Sequence, residues 1–261
     1  MPLIIAAFNL ILAAFTLFSM LATVNRAAIS SQVDYGTFLV IFRYVAIIEF
    51  TLILFMLPSL TAGSISGERE HRTLDLMLTT KLTPRRIVTG KVITSLTTIG
   101  ILVVSSLPIL ALVFVYGGVT ISNILLLFLS LFTVAVFTAS IGIWASSISE
   151  RSTVATAITY AAVLLFTGGT IGICMLATNF TGGSGKLAYI LFANPAVTFY
   201  EIINTITGNE SAVWSLRTAL GFDADISPTV FFSVGTAVQL AISGILVLCA
   251  AKHVSPGKTR S

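Results

Sequence analysis

The chain is poor in charge. Of its 261 residues 14 are basic and 10 acidic, so charged residues make up 9% while hydrophobic ones make up 56%. A soluble domain carries about 25% charged residues, and this chain has too few to cover a surface facing water. It is also poor in histidine and cysteine. The two histidines, His71 and His253, lie in polar segments, so neither is placed in an apolar run to activate a nucleophile. The segment Gly67-Glu68-Arg69-Glu70-His71 has no second histidine at metalloprotease spacing, and no His/Cys/Asp/Glu grouping has the spacing of a metal site. Cys174 and Cys249 both sit in apolar runs and read as inert buried thiols, which excludes a disulfide framework. The glycine-rich Gly182–Lys186 fails as a phosphate loop: Phe180 stands where the first glycine belongs, and Leu187 follows the lysine in place of serine or threonine. The chain carries no catalytic constellation. The net charge of +4 does not point to nucleic acid, because the basic residues have a topological explanation.

Long apolar runs are plentiful. A membrane-spanning helix needs about 20 mostly apolar residues. Six stretches qualify, at about 3–24, 37–62, 92–116, 123–148, 153–177 and 229–251. Their length and weak alternation predict helices rather than barrel strands, so the chain is expected to be an all-α polytopic membrane protein with six transmembrane helices. The first run lacks a positive flank and is long for a signal peptide, so it is read as a retained span. Placing both termini in the cytoplasm puts ten basic residues inside (Arg69, Arg72, Lys81, Arg85, Arg86, Lys91, Arg151, Lys252, Lys258, Arg260) and three outside (Arg26, Lys186, Arg217). That asymmetry sets the orientation. Residues 1–261 form one transmembrane domain, with a cytoplasmic loop at 63–91 and an outer segment at 178–228. The outer segment opens on a flexible "NFTGGSGK". It continues as a sequence apolar enough to lie against the membrane or on top of the bundle as short helices.

Nine of the charged residues crowd into Ile65–Lys91. Ser66 is expected to cap a short helix carrying Glu68 and Glu70 in its first turn, where acids favour the dipole. Glu68 and Arg72 are spaced to pair on one face, and Leu74, Met77 and Leu78 make an apolar stripe. Thr83-Pro84 marks a second helix start, with Arg85 and Arg86 placed to reach acidic headgroups. From physics alone, a solvated hairpin without a partner is an equal reading.

This stretch resembles the first cytoplasmic loop of the permease subunits of type-2 ATP-binding-cassette (ABC) transporters. The resemblance rests on Gly67-Glu68-Arg69-Glu70, Thr73-Leu74-Asp75-Leu76-Met77-Leu78, Arg85-Arg86 and Gly90-Lys91, and covers about a tenth of the chain. The six spans, the short inner "SISERSTVA" and the outer "NPAVTF" agree in architecture. Two departures stand out. Arg72 occupies the position of a glycine usual before the Thr-Leu core, and the sequence opens almost directly on the first span, where the family usually has a charged amphipathic elbow helix.

The resemblance implies a type-2 ABC permease-like fold and an ATP-driven exporter subunit, not itself an enzyme. Its coupling helix (Gly67, Glu68, Arg69, Glu70, Arg72, Thr73, Leu74, Asp75, Met77 and Leu78) would dock on a separate ABC ATPase subunit. ATP and Mg would be bound by that partner and no cofactor by this chain. A second permease, identical or different, would complete the unit in the lipid of the cell membrane. An ion-coupled secondary transporter is the alternative, and it would need intramembrane ionisable groups; only Arg43 and Glu49 qualify. An intramembrane enzyme is disfavoured by the placement of the histidines. Arg43 is expected to snorkel to the outer surface. Glu49 is expected to face the permease–permease interface or a central cavity rather than lipid, with a helix-packing hydrogen bond as the plain alternative.

Overall fold

In a computed structural model the described residues are 2–30, 35–71, 84–115, 119–181, 187–220 and 226–254. They are helical throughout, with no strand among them. In chain order the helices are α1 (Pro2–Ser30), α2 (Tyr35–Thr61), α3 (Gly63–Glu70), α4 (Pro84–Val115), α5 (Ile121–Ile148), α6 (Ser152–Leu164), α7 (Thr170–Thr181), α8 (Pro195–Ile206), α9 (Glu210–Ala219) and α10 (Pro228–His253). A π turn, Leu165–Gly169, joins α6 to α7, and a 3-10 helix, Leu187–Ala193, precedes α8. Five stretches are long and apolar enough to cross a membrane: Ala7–Asn25, Phe38–Glu70, Ile121–Ile148, Ser152–Phe180 and Pro228–His253. The 32-residue α4 is the sixth long helix. It extends about 48 Å, well beyond a hydrocarbon core of about 30 Å. It begins at Pro84, as the Thr83-Pro84 signal predicts, while Thr83 itself lies outside the described residues.

Helix α5 is the axis of the bundle, packing against α2, α3, α4, α6, α8 and α10. Its sequence explains the role. Between Thr138 and Ser147 it carries Ala139, Ser140, Gly142, Ala145 and Ser146, all buried. Lipid tails are as apolar as leucine, so spans associate through close packing, which small residues permit. Gly142 is the tightest point: a Cβ there would lie 1.9 Å from Thr61 Oγ1 and 2.7 Å from Thr61 Cβ. The main core joins Phe8 and Leu12 of α1, Phe42, Val45 and Ile53 of α2, and Leu127, Leu131 and Val134 of α5. A second cluster closes the end that carries most of the charge, bringing Ile65, Val88, Ile143, Ala250 and Val254 together from α3, α4, α5 and α10.

The outer segment departs from expectation. Residues 178–181 belong to α7 rather than to a loop, and 182–186 of "NFTGGSGK" lie outside the described residues. The helices that follow are short, as the sequence predicts, but α8 is driven into the bundle instead of resting on it. Phe199 stacks on Phe50 of α2 with ring centroids 4.5 Å apart. Thr198 accepts a hydrogen bond from Gln239 of α10 at 2.9 Å. Gln239 lies about 16 Å along α10 from Pro228, so the start of α8 sits near mid-membrane. The Pro195, Val197, Thr198, Phe199, Ile202 and Ile203 face is what the bundle buries. At its other end α8 stops in a Schellman motif, with Asn209 N–H donating to Asn204 O and Gly208 N–H to Thr205 O. Gly208 takes the left-handed φ of 68° that this motif requires.

The contact at Gly142 leads to a test. Gly142→Ala overpacks α2 against α5 and should cost about 1–3 kcal/mol. Gly244→Ala on α10, where an added Cβ meets nothing within 4 Å, should be neutral. Thermal unfolding of both variants in detergent checks the difference; equal melting temperatures would remove Gly142 as the tight point.

Candidate functional site

The site builds from the transition between α2 and α3. Helix α2 continues through Pro58 to Thr61, and after Ala62 the chain re-enters helix as α3. A helix start leaves N–H groups without intrahelical acceptors. Here Ser146 of α5 supplies the acceptor: its Oγ takes bonds from both Ile65 N–H and Ser66 N–H at 2.9 Å. Ser66 is therefore inside α3, its Oγ donating to Ala62 O, and the expectation that it caps the helix is corrected. Ala62 stands at the cap position without a side-chain bond, and the cap comes instead from another span.

The charged end of α3 is fully engaged with this chain. Glu68 pairs with Lys91 of α4, one turn beyond Arg86-Ile87-Val88. Arg69 donates to the carbonyls of Ser147 (3.2 Å) and Ser149 (3.3 Å) at the end of α5. Glu70 accepts from Ser152 N–H (3.2 Å) and Ser152 Oγ (2.8 Å) at the start of α6. The signs are those the helix dipoles favour, a cation on the C-terminal carbonyls and an anion on the N-terminal amides. Arg69 gains about 0.3–1 kcal/mol from the dipole in such a position. Glu70 substitutes for an unsuitable cap, because Arg151 at the cap position of α6 makes no side-chain bond. The expected Glu68–Arg72 pairing involves a residue outside the described ones; among the described residues Glu68 pairs with Lys91. Arg72, Thr73, Leu74, Asp75, Met77 and Leu78 lie outside the described residues. Gly67 lies beside this cluster, and an added Cβ there would meet nothing within 4 Å.

At the opposite end, Arg43 donates to Asn204 Oδ1 of α8 at 3.3 Å, and its guanidinium carbon lies 5.6 Å from the Tyr44 ring centre. It reaches toward the outer helices, the direction expected of it, but finds protein there. Glu49 is 0% exposed. It lies on α2 among the core residues Ala46, Phe50 and Ile53. The carboxyl thus belongs to this chain's own core, and the expectation that it faces a second permease or an open cavity is corrected. The physical reason is that α1, α4 and α5 pack around α2, an enclosure that hydropathy alone does not reveal.

Two polar clusters were not visible in the sequence. Glu201 of α8, 1% exposed in its side chain, is held in a two-point pair by Arg217 of α9, with Nε and Nη2 each 2.8 Å from a carboxylate oxygen. Arg217 also donates to Ile226 O, and its guanidinium carbon lies 5.6 Å from the Phe231 ring centre. The hydrogen bonds to Glu201 raise the Arg217 guanidinium further above its already high ordinary value. The second cluster centres on Asn194. Its Oδ1 accepts from Ala196 N–H (2.7 Å) and Val197 N–H (3.1 Å), capping α8, and its Nδ2 donates to Thr167 O (2.7 Å) and Thr170 Oγ1 (2.6 Å). Asn before Pro is a readable helix-start signal. The π turn, which presents Thr167 O, has only "TGGT" to mark it. The Glu201–Arg217 pair, separated by 16 residues across two helices, has no sequence signature.

The described residues form a bundle with five stretches long and apolar enough to cross a membrane and a charged cluster where α3, α4, α5 and α6 meet. Residues 9–251 match the model of the ABC-2 family transporter protein family. The chain belongs to that family and is a multi-pass membrane protein, the permease component of an ABC transporter. Membership implies association with an ABC ATPase subunit. No curated protein sequence matches the chain at significant similarity.

The buried pair generates a prediction. Arg217→Ala strands Glu201 in a low-dielectric site and should destabilise the protein by about 3–5 kcal/mol, whereas Glu201→Leu combined with Arg217→Leu should recover most of that loss. Denaturation midpoints of the three proteins in one detergent measure it. A double variant no better than the single one would mean that the charges are held by something other than each other.

Proposed function

We propose that the chain is the permease subunit of an ATP-driven ABC exporter, working with a separate ATPase through its first cytoplasmic loop. The observation that carries this reading is the family match over residues 9–251, joined to a charged loop between α3 and α4 that carries the Thr73-Leu74-Asp75-Leu76-Met77-Leu78 core. In this reading ATP and Mg are held by the partner ATPase, and a second permease, identical or different, completes the assembly in the cell membrane. Both termini are cytoplasmic, because ten basic residues then fall inside and three outside. The transport substrate is hydrophobic or amphipathic, as spans poor in charge suit such a cargo.

Reconstitution with the cognate ABC ATPase tests the coupling. The wild-type chain should co-purify with it, and Leu74→Asp should remove the ATPase while leaving the permease inserted. Undiminished co-purification and ATP hydrolysis with Leu74→Asp would reduce the loop to a solvated turn. Orientation has its own test. Single cysteines at Ser184 and at Thr259 should react with an impermeant thiol reagent from outside and inside respectively; reaction of both from one side contradicts the arrangement.

A further inference from the structure

Three charged residues in succession, Glu68, Arg69 and Glu70, fall within the segment that resembles a coupling helix, yet each spends its hydrogen bonds on its own chain. We infer that these three are positioning residues. They fasten the first cytoplasmic loop to α4 and to the turn between α5 and α6, so that displacement of the loop moves all three helices together; they are not ATPase-contacting residues. The inference rests on the proposed coupling to a partner ATPase and assigns which part of the loop does what.

Geometry carries it. Helices α5 and α6 are separated by Ser149, Glu150 and Arg151. Arg69 holds the carbonyls at the end of α5 and Glu70 the amide at the start of α6. Adjacent residues of α3 therefore clamp both sides of one short turn. The sign order matters: the reverse order would set an anion against the carbonyls of α5 and a cation against the amide of α6. Glu68 adds α4 through Lys91, a pair with side-chain exposures of 17% and 31%. Ser146 adds a fourth attachment, to the start of α3 itself. Beneath these polar links, Ile65, Val88 and Ile143 share one buried apolar cluster. The contacts join the first inner loop to the second, so a push on either is delivered to α5, the axis of the bundle. Docking would then fall to the apolar stripe beyond residue 71.

The test separates docking from transmission. Arg69→Gln and Glu70→Gln permeases are reconstituted with the cognate ATPase, and two quantities are read: the amount of ATPase retained, and the permease-dependent rate of ATP hydrolysis. Retention should be unchanged while the permease-dependent rate falls about tenfold. Lys91→Glu alone should behave likewise, and Glu68→Lys combined with Lys91→Glu should restore the rate. A covalent substitute is also available. A Cβ built on Gly63 lies 3.8 Å from Ser152 Cβ, the usual Cβ separation in a disulfide of about 3.8 Å. In a Glu70→Gln background, Gly63→Cys with Ser152→Cys should regain coupling when oxidised and lose it on reduction. Loss of the ATPase from the Arg69 and Glu70 variants would make these residues part of the docking surface and overturn the inference. Wild-type rates in those variants, or no rescue by both the charge exchange and the disulfide, would overturn it too. Failure of the wild-type chain to bind the ATPase would instead sink the functional reading on which it rests.

Discussion

A helix end must find partners for its unpaired backbone groups, and within the hydrocarbon no water can supply them. An unpaired amide or carbonyl in lipid costs several kcal/mol, so irregular backbone survives at depth only where protein surrounds it. The fold meets this demand between elements rather than within them. Ser146 of α5 receives the first amides of α3. Arg69 of α3 covers the last carbonyls of α5, and Glu70 covers the first amide of α6. Asn194 caps its own helix and also takes the carbonyl that the π turn presents. Where the cap comes from another element, as with Ser146, Arg69 and Glu70, it is also a tie that sets helix against helix.

That arrangement explains why α8 tolerates a start near mid-membrane. Its first amides are satisfied by Asn194, and Phe192 O receives Gln239 at 3.4 Å. Its one ion pair, Glu201–Arg217, remains within the outer helices. Aromatic stacking of Phe199 on Phe50 and of Phe192 near Phe231 fills the space that the inserted hairpin opens. Elsewhere along α2, packing by α1, α4 and α5 accompanies the full burial of Glu49. A carboxyl that hydropathy places in the membrane is thereby enclosed by protein, the environment in which such a group is tolerated.

At the charged end, a chain that keeps most of its spans free of charge concentrates ionic contacts where water and helix termini meet. Arg69 and Glu70 are each useful only because α5 ends and α6 begins beside them. Transport by a permease driven from a separate motor requires a rigid connection between loop and spans, and the cluster around Arg69 has the bonding of such a connection. Family membership and this cluster are consistent with each other, although they come from independent observations.

The all-α membrane architecture, the loop that gathers the charge, the helix start at Pro84 and the family resemblance were legible in the sequence. Hydropathy is a property of a run of residues, and a run must be long and apolar to cross lipid whatever it packs against. Asn194-Pro195 carries a local helix-start signal too, but the bonds of Asn194 to Thr167 and Thr170 do not follow from it. The partners of charged side chains were not legible. Glu68 meeting Lys91, Ser146 replacing Ser66 as the cap, Glu201 meeting Arg217 and Glu49 entering the core all depend on which helices cross and at what depth. Crossing is decided by close approaches such as Gly142 on Thr61, and those exist only once α2, α5 and α8 have packed. One-dimensional pattern therefore determined what this chain is; three-dimensional packing decided which helices its polar and charged side chains tie together.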